Sequence, residues 1–278
     1  MNLAPYAPFL MVMSGFLHAV VNAILKSGKD KMSGRALIDG FSSLLVLPLA
    51  FYVPLPSGAW VWILSSLGVH LVYLVGLIKA FESLDMSVAY PIARGVAPIL
   101  AAAGAVLLFH EPITRAIVIG ILLVSAGVAL IGMHKDLNRR ALAWSGLSGV
   151  CIALYTVIDA QGVRAAPSAI SYIVWIFLSI GPGVVLLCAV WRGKGFLAAA
   201  ATQWKPGLVA GSLSILTYGA ALTALRWGAT PALAALRETS ILFAAIIAVV
   251  FLKEQAHPRR IAGVMTIALG AVWLLAMS

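Results

Sequence analysis

The sequence predicts an all-α polytopic membrane protein with ten transmembrane helices. Three observations support this fold class. First, the 278 residues are 62% hydrophobic and only 10% charged, whereas soluble domains are about 45–50% apolar and about 25% charged. Second, the apolar residues form runs of about 20, the length that a spanning helix needs. Third, the runs lack the alternation of a barrel strand, and helices satisfy their own backbone groups in lipid.

Ten apolar runs follow one another along the chain, and each is long enough for one span. They cover approximately residues 4–25, 35–54, 59–81, 85–109, 113–133, 141–162, 169–191, 206–226, 229–252 and 260–277. The connections between them are short, so there is no room for a soluble domain of ordinary size. An enzyme or receptor head on a membrane anchor is therefore excluded.

The net charge of +10 resides mainly in the connectors after the odd-numbered runs. These connectors hold fourteen basic residues: Lys26, Lys29, Lys31, Arg35, Lys79, Lys135, Arg139, Arg140, Arg192, Lys194, Lys205, Lys253, Arg259 and Arg260. The opposite connectors hold three, Arg115, Arg164 and Arg226. Because Lys and Arg stay on the cytoplasmic side, we expect a multi-pass protein of the cell membrane (the inner membrane where there are two) with both termini extracytoplasmic. We expect no nucleic-acid partner.

No residue pattern in the sequence indicates a cofactor or a metal. Cys151 and Cys188 lie inside apolar runs, so they are expected to be buried side chains and not disulfide partners or metal ligands. The chain has no Gly-rich phosphate loop after a strand, no nucleophile elbow and no His–Glu metal helix. We therefore expect a non-enzyme whose partners are a small-molecule substrate and the lipid bilayer, as a monomer or homodimer.

The second half of the sequence repeats features of the first at a constant offset of 143 residues. At this offset Arg94 corresponds to Arg237, and the pairs Glu111 and Glu254, Gly120 and Gly263, and Gly127 and Gly270 also match. We predict two five-helix repeats, residues 1–137 and 138–278. Because five is odd, the second repeat is inverted relative to the first, as in many secondary transporters.

The closing segments of the two halves resemble the drug/metabolite transporter superfamily, in particular its ten-span EamA-type branch. These segments are AYPIARGVAPILAAAGAVLLFHEPITRAIVIGILLVSAGVALIG and PALAALRETSILFAAIIAVVFLKEQAHPRRIAGVMTIALGAVWLL. Each has a long helix of small residues, a Glu at its far end and a final helix with paired glycines. The resemblance implies a ten-helix bundle that transports, and often exports, metabolites or drugs, without implying one substrate.

The sequence departs from this family in two respects. Many ten-span relatives keep both termini in the cytoplasm, whereas the charges here favour the reverse. Small four-span members that export cationic drugs carry an acidic residue midway along the first helix, where this sequence has His18 and Asn22. The second departure weakens a cation-export interpretation.

Two arginines within the apolar runs are the main candidates for a substrate site. A charge deep in a span costs about 2.5–3.5 kcal/mol or more, so it should face a cavity or a partner. Arg94 and Arg237 could bind a carboxylate or phosphate bidentately. The alternative is an internal ion pair, for example between Arg94 and Glu238. We take Glu238 and Asp159 to be the carboxylates within the runs.

Further candidates follow from helical spacing and from titratable chemistry. Glu238 and His70 are the candidates for proton coupling. Asp159 is expected to form an interfacial salt bridge with Arg164. Residues expected to line the cavity beside the two arginines are Tyr90, His70, Tyr73, His18, Asn22, Trp175 and Tyr155.

The leading functional hypothesis is a secondary active transporter, an exporter, of a small organic metabolite with an anionic group, such as an amino acid or organic acid. It would work by alternating access and be coupled to protons. One alternative is a multidrug exporter of cationic or amphipathic compounds. An alternative of another class is an intramembrane enzyme acting on lipid or peptide, with His18, His70 or Asp159 as acid or base.

The charge distribution makes a direct prediction about topology. A reporter enzyme that works only outside the cytoplasm should be active when fused after Ser278, because the carboxy terminus is expected on the side with few basic residues. A reporter that works only in the cytoplasm should be inactive in the same position. The reverse result would overturn either the span count or the orientation.

Overall fold

A computed structural model of the chain describes residues 3–81, 86–132, 139–250 and 257–277, and within these ranges the regular elements are helices. The α-helices are α1 (Ala7–Ser27), α2 (Lys31–Val46), α3 (Trp60–Phe81), α4 (Met86–Phe109), α5 (Arg115–Gly132), α6 (Arg139–Ala165), α7 (Ala169–Arg192), α8 (Gly195–Trp227), α9 (Thr230–Arg237), α10 (Thr239–Val250) and α11 (Pro258–Ala276). Short 3₁₀ helices cover Ala4–Tyr6 and Leu47–Phe51. The expected all-α membrane fold is confirmed.

The described residues account for the expected spans. Nine helical stretches are long and apolar enough to cross a membrane, and α9 and α10 together form one of them, Thr230–Val250. The helix α4 has 24 residues, which at 1.5 Å per residue is roughly 36 Å, more than the hydrocarbon core of a bilayer.

Helix ends follow from residues that satisfy the free backbone groups. The Asp30 carboxylate accepts hydrogen bonds from the amides of Met32 and Ser33 at the start of α2. The Ser168 hydroxyl accepts one from Ser171 at the start of α7. At the other end of α7, Gly193 has φ +60°, a left-handed conformation that glycine adopts without steric cost. These caps set the tight turns between spans.

Two helices differ from the sequence-based expectation. The helix α8 begins at Gly195 and not near residue 206, so Pro206 lies inside it. Because Pro206 has no amide hydrogen, the carbonyl four residues earlier, that of Thr202, lacks its usual helical donor. Both residues are exposed, so this carbonyl is not forced into a dry core.

The ninth expected span is broken at Glu238. There the amide of Glu238 donates to the carbonyl of Ala235 and the Ile241 amide donates to Glu238, both tighter than the α-helical pattern. The Thr239 hydroxyl donates a hydrogen bond of 2.7 Å to the Leu236 carbonyl and so competes with the backbone amide for it. The span therefore consists of two short helices that meet near the middle of its length.

Packing partners are exchanged between the first half (α1–α5) and the second half (α6–α11). The first helix of each half packs on the third helix of the other half, which gives the pairs α1–α8 and α6–α3. It also packs on the fourth span of the other half, which gives the pairs α6–α4 and α1–α10. The helices α2 and α7 pack on each other, as do α5 and α11. The midline of the molecule therefore runs between the two halves. The repeat boundary near residue 137 stays a prediction.

The pair α5 and α11 is held together by close contact at glycines. A Cβ on Gly127 would lie 2.6 Å from the carbonyl oxygen of Gly263 and 2.8 Å from Ile267. Such distances leave no space for a methyl group against the opposing backbone. The paired glycines therefore allow direct backbone contact between the last helices of the two halves.

We predict that Gly127→Ala destabilises the protein by about 1–3 kcal/mol, because the added methyl group overpacks the α5–α11 contact. The matched control is Gly146→Ala in α6, where an added Cβ meets nothing within 4 Å. That change should be neutral or stabilising by up to about 1 kcal/mol, since Ala favours helix over Gly. Thermal unfolding in detergent, followed by tryptophan fluorescence, measures both variants. Equal effects of the two would contradict the packing argument.

Candidate functional site

The buried charges of the bundle meet around a cavity of about 80 Å³ that lies between the two halves. Its polar lining residues are His18, Arg35, Asp39, His70, Tyr73, Arg94, Tyr155, Ser214, Thr217, Tyr218 and Arg237. They come from seven helices: α1, α2, α3, α4, α6, α8 and α9. The remainder of the wall is apolar. We call this space the central cavity.

The Arg94 side chain forms a bidentate salt bridge with Glu238 across the midline. Its Nε lies 2.7 Å from Oε2 and its Nη2 lies 3.0 Å from Oε1. Both residues are buried, at 4% and 2% exposure. This is the internal ion pair that the sequence analysis gave as the alternative to substrate contact. It joins α4 of the first half to the break between α9 and α10.

A second ion pair, between Arg35 and Asp39, also lines the central cavity. The Nε of Arg35 lies 2.6 Å from Oδ2 of Asp39, and Nη2 lies 3.0 Å from Oδ1. This pair was not predicted from the sequence, because Arg35 was assigned to a connector and Asp39 was not recognised as a carboxylate within a span. The i, i+4 spacing of the two residues on one helix face is the signal that could have found it.

The Arg237 guanidinium has no salt bridge among the described residues. It lies 5.4 Å from the ring centre of Tyr218, a cation–π contact. The repeat explains the asymmetry with Arg94. At the offset of 143 residues, the counterpart of Glu238 is Gly95, so the first half has no carboxylate at the equivalent position. One guanidinium in the central cavity is therefore not neutralised by a direct ion pair.

Asp159 does not form the expected salt bridge with Arg164, and that prediction was wrong. Its Oδ1 accepts a hydrogen bond of 2.8 Å from the Tyr172 hydroxyl, and its Oδ2 accepts one from the Tyr218 hydroxyl. The reason is helical geometry, because five residues along a helix rotate the side chain by about 140°. Arg164 therefore faces Glu111 instead, with Nη1 2.5 Å from Oε1.

An aromatic cluster covers one wall of the central cavity. The His70 ring stacks on Tyr155 with 4.2 Å between ring centres, and Tyr73 meets Tyr155 edge-on at 6.0 Å. The edge of His70 faces Tyr218 at 6.2 Å. The structure thus brings together three residues that the sequence analysis proposed, His70, Tyr73 and Tyr155. It also places Tyr218, from α8, in the same cluster.

The other proposed site residues are distributed less closely. His18 lines the central cavity, whereas Asn22, one turn along α1, is not among its lining residues. Trp175 packs edge-on against Trp60 at 5.4 Å, away from the cavity lining. Tyr90 lies on α4, but its side chain is outside the described residues.

Polar contacts tie the two halves together at the end of the bundle where α4, α6 and α8 finish. The Glu111 carboxylate accepts hydrogen bonds of 2.8 Å from the amide and from the hydroxyl of Thr230. Arg164 also donates to the carbonyls of Leu225 and Gly228, at 3.0 and 2.8 Å. We call these contacts the Glu111 network. They cap α9 with a carboxylate from the other half and hold this end closed.

A larger cleft, of about 280 Å³, lies at the opposite end between the α1–α2 turn and α8. Its polar lining includes Lys29 and Gln203, and Asp30 of the same turn pairs with Arg192 at 2.8 Å. Burial acts to raise the pKa of Asp30, but hydrogen bonds from Ser33 and Arg192 outweigh it and hold this pKa below its usual value. The cleft lacks the buried charges of the central cavity, so the central cavity is the candidate site.

The Arg94–Glu238 pair makes a prediction about stability. Glu238→Ala should destabilise the protein by about 3–5 kcal/mol, because it leaves the Arg94 charge buried without its partner. The double variant Arg94→Leu, Glu238→Leu should recover most of the loss. Arg192→Ala, which breaks an exposed pair, is the control and should cost at most about 1 kcal/mol. Thermal unfolding in detergent measures all three, and a Glu238→Ala effect no larger than the control would contradict the assignment.

Comparison with known proteins agrees with the fold. One solved crystal structure aligns with 97% of this chain and with 95% of its own chain. The TM-score is 0.72 at 16% sequence identity, which shows that the two proteins share a fold. No curated protein matches the chain in sequence. Residues 139–276, the second half, match the EamA-like transporter family. The chain is therefore a multi-pass membrane protein of the EamA-like transporter family, within the drug/metabolite transporter superfamily.

Proposed function

We propose that this protein is a secondary active transporter that exports a small organic metabolite with an anionic group, such as an amino acid or organic acid. It would do so by alternating access and with proton coupling. The observation that carries the proposal is Arg237, a guanidinium in the central cavity that forms no salt bridge among the described residues.

Charge is the first argument for an anionic substrate. A guanidinium in a low-dielectric cavity is costly unless an opposite charge or water satisfies it. Arg94 and Arg35 each have a carboxylate partner at 2.7 and 2.6 Å, whereas Arg237 contacts the face of Tyr218 and forms no salt bridge with any residue that the structure describes. A substrate carboxylate or phosphate would supply the missing charge, and Arg237 could bind it bidentately.

A second polar group that lines the central cavity supports the same substrate. The Thr217 hydroxyl lines the central cavity and is 3% exposed, and it has no hydrogen-bond partner among the described residues. Buried hydroxyl groups are normally hydrogen-bonded. A substrate oxygen would satisfy this donor while the rest of the anionic group meets Arg237.

The size of the central cavity favours a small metabolite. Its volume of about 80 Å³ is well below the roughly 300–1,000 Å³ of pockets for drug-sized ligands. A multidrug exporter of cationic compounds remains the second candidate, because the rings of Tyr73, Tyr155 and Tyr218 could bind a cation through their faces. Against it, a cation would meet the like charge of Arg237 in the same space.

An intramembrane enzyme receives less support. Ser66 Oγ lies 3.1 Å from Nδ1 of His70, but the same nitrogen lies 2.9 Å from the Ser66 carbonyl. Ser66 is 0% exposed and does not line the central cavity. The contact therefore resembles a side chain bonded to its own helix one turn back, with no access for a lipid or peptide.

We predict that Arg237→Ala weakens binding of an anionic or zwitterionic substrate by about 10- to 100-fold, the size expected for one charge-assisted hydrogen-bonded contact. Arg237→Lys should restore it only in part, because the bidentate geometry is lost. Binding of a panel of amino acids, organic acids and quaternary ammonium compounds to the purified protein, followed by thermal shift, measures this. Arg94→Ala should mainly lower stability, because it leaves the Glu238 carboxylate buried without its partner.

Arg192→Ala is the matched control, since this arginine is 48% exposed at a helix end outside the central cavity. It should leave the panel unchanged. Uptake and efflux in proteoliposomes, with and without a proton gradient, then test transport of whichever compound binds. Strong binding of quaternary ammonium compounds that survives removal of both Arg94 and Arg237 would sink the proposal and favour the multidrug exporter.

A further inference from the structure

Asp159 differs from the other buried carboxylates of the spans. Asp39 and Glu238 each receive two hydrogen bonds from one guanidinium. Asp159 is as deeply buried, at 1% exposure, yet within the described part of the chain it forms no salt bridge. Its oxygens meet two tyrosine hydroxyls instead, those of Tyr172 and Tyr218.

These partners suit a group that gains and loses a proton. An ionised carboxylate without a cation is costly in a low-dielectric interior, so its protonated form is accessible. A tyrosine hydroxyl both donates and accepts hydrogen bonds. Tyr172 and Tyr218 can therefore donate to the carboxylate, and one of them can accept from the protonated carboxyl group. An arginine partner offers donors only and stabilises a single state.

We propose that Asp159 is the proton-binding site of this transporter and that Tyr218 connects it to the central cavity. The proposal rests on the proposed function, because it assigns the residue through which proton coupling would run. The sequence pointed to Glu238 or His70 for that role. Glu238 is held by Arg94 in a bidentate pair, so a proton would have to displace a guanidinium there.

The route follows from the position of Tyr218. This residue lines the central cavity and its hydroxyl bonds to Oδ2 of Asp159. A hydronium ion in the cavity gives a proton to the Tyr218 oxygen as the hydroxyl proton of Tyr218 passes to Asp159. An O–H bond forms on Asp159, and water is left in the cavity. Tyr172, at 0% exposure, closes the opposite side.

The polar groups near Asp159 come from four helices, α3, α7, α8 and α9. Ser66 lies beside it and His70 lies one turn further on α3, Tyr172 is on α7, Tyr218 on α8 and Arg237 on α9. Of these, Arg237 carries a permanent charge, which acts on the carboxylate electrostatically.

This neighbourhood links the proton to the substrate. When Asp159 is ionised, its negative charge attracts the Arg237 guanidinium and opposes a second anion. When Asp159 is protonated, Arg237 is left to a substrate anion. Proton and anion therefore favour each other's binding, and an accumulated organic acid would leave the cell together with a proton, down its own gradient.

Infrared spectroscopy tests the assignment without any substrate. The purified protein is titrated with acid in detergent, and the C=O stretch of a protonated carboxyl group is recorded. Other acidic residues also give such bands on acidification, so the band assigned to Asp159 is the one with a titration midpoint that the wild-type protein shows and Asp159→Asn lacks. Asp39→Asn, which removes an arginine-paired carboxylate, is the matched control and should retain it.

Two further variants keep the test decisive if Asp159→Asn fails to fold. Tyr218→Phe removes a donor to the carboxylate, and Arg237→Ala removes the nearby positive charge. Each should shift the midpoint of the band to higher pH, because each change disfavours the ionised form. A wild-type spectrum that matches that of Asp159→Asn, or a midpoint that neither variant moves, would overturn the proposal. The outcome is independent of the anion site, because loss of substrate binding in Arg237→Ala leaves the Asp159 band in place.

Discussion

The salt bridge between Arg94 and Glu238 organises the centre of this protein. Both groups are almost fully buried in the middle of the bundle, where the cost of an isolated charge is measured in several kcal/mol. Neither is therefore stable in that position without the other. Since Arg94 belongs to the first half and Glu238 to the second, the pair fixes the two halves against each other at the membrane midplane.

The same interaction accounts for two neighbouring features. Glu238 lies at the break between α9 and α10. There the backbone hydrogen bonds span three residues instead of four, and the Thr239 hydroxyl donates to a backbone carbonyl. Non-helical backbone at membrane depth is tolerated where it is buried in protein or lines a cavity. Because Glu238 serves Arg94, no equivalent carboxylate remains for Arg237. Glu238 pairs with Arg94 and holds the two halves together, while Arg237 forms no salt bridge among the described residues. This asymmetry underlies the proposed anion site.

The two ends of the bundle differ in a way that suits alternating access. The Glu111 network ties α6, α8 and α9 to the α4–α5 turn with direct hydrogen bonds between the halves. At the other end, the Asp30–Arg192 pair is more exposed, and the basic residues of the connectors gather there. Opening of the closed end would require the Glu111 contacts to exchange for water, while the pair at the midplane could persist.

Much of the fold could be predicted from the sequence, because lipid imposes helices about 20 residues long and leaves few alternatives. Helix ends were less predictable: the exposed start of α8 extends beyond the apolar run that signalled it. The site was predictable in part. Arg94, Arg237, His70, Tyr73, Tyr155 and His18 stood out as polar residues at helical spacing within apolar runs, and they line one cavity.

What the sequence could not supply was which groups meet. Asp159 and Arg164 are close in sequence but point to different helix faces, so their partners come from distant segments, Tyr172 and Glu111. The fold places Tyr218 between Asp159 and Arg237, and its position in an apolar helix does not reveal either partner. Contacts of this kind depend on tertiary packing, which neither spacing nor composition encodes.

The central claim is that the cavity holds an anion at Arg237 and not at Arg94. Anomalous diffraction from crystals soaked in bromide tests it most directly, because bromide reports an anion site without knowledge of the substrate. The account predicts an anomalous peak in contact with the Arg237 guanidinium, absent in Arg237→Ala crystals, and none beside the paired guanidinium of Arg94. Bromide found only at exposed cations such as Lys29, with the space beside Arg237 free of it, would contradict the account.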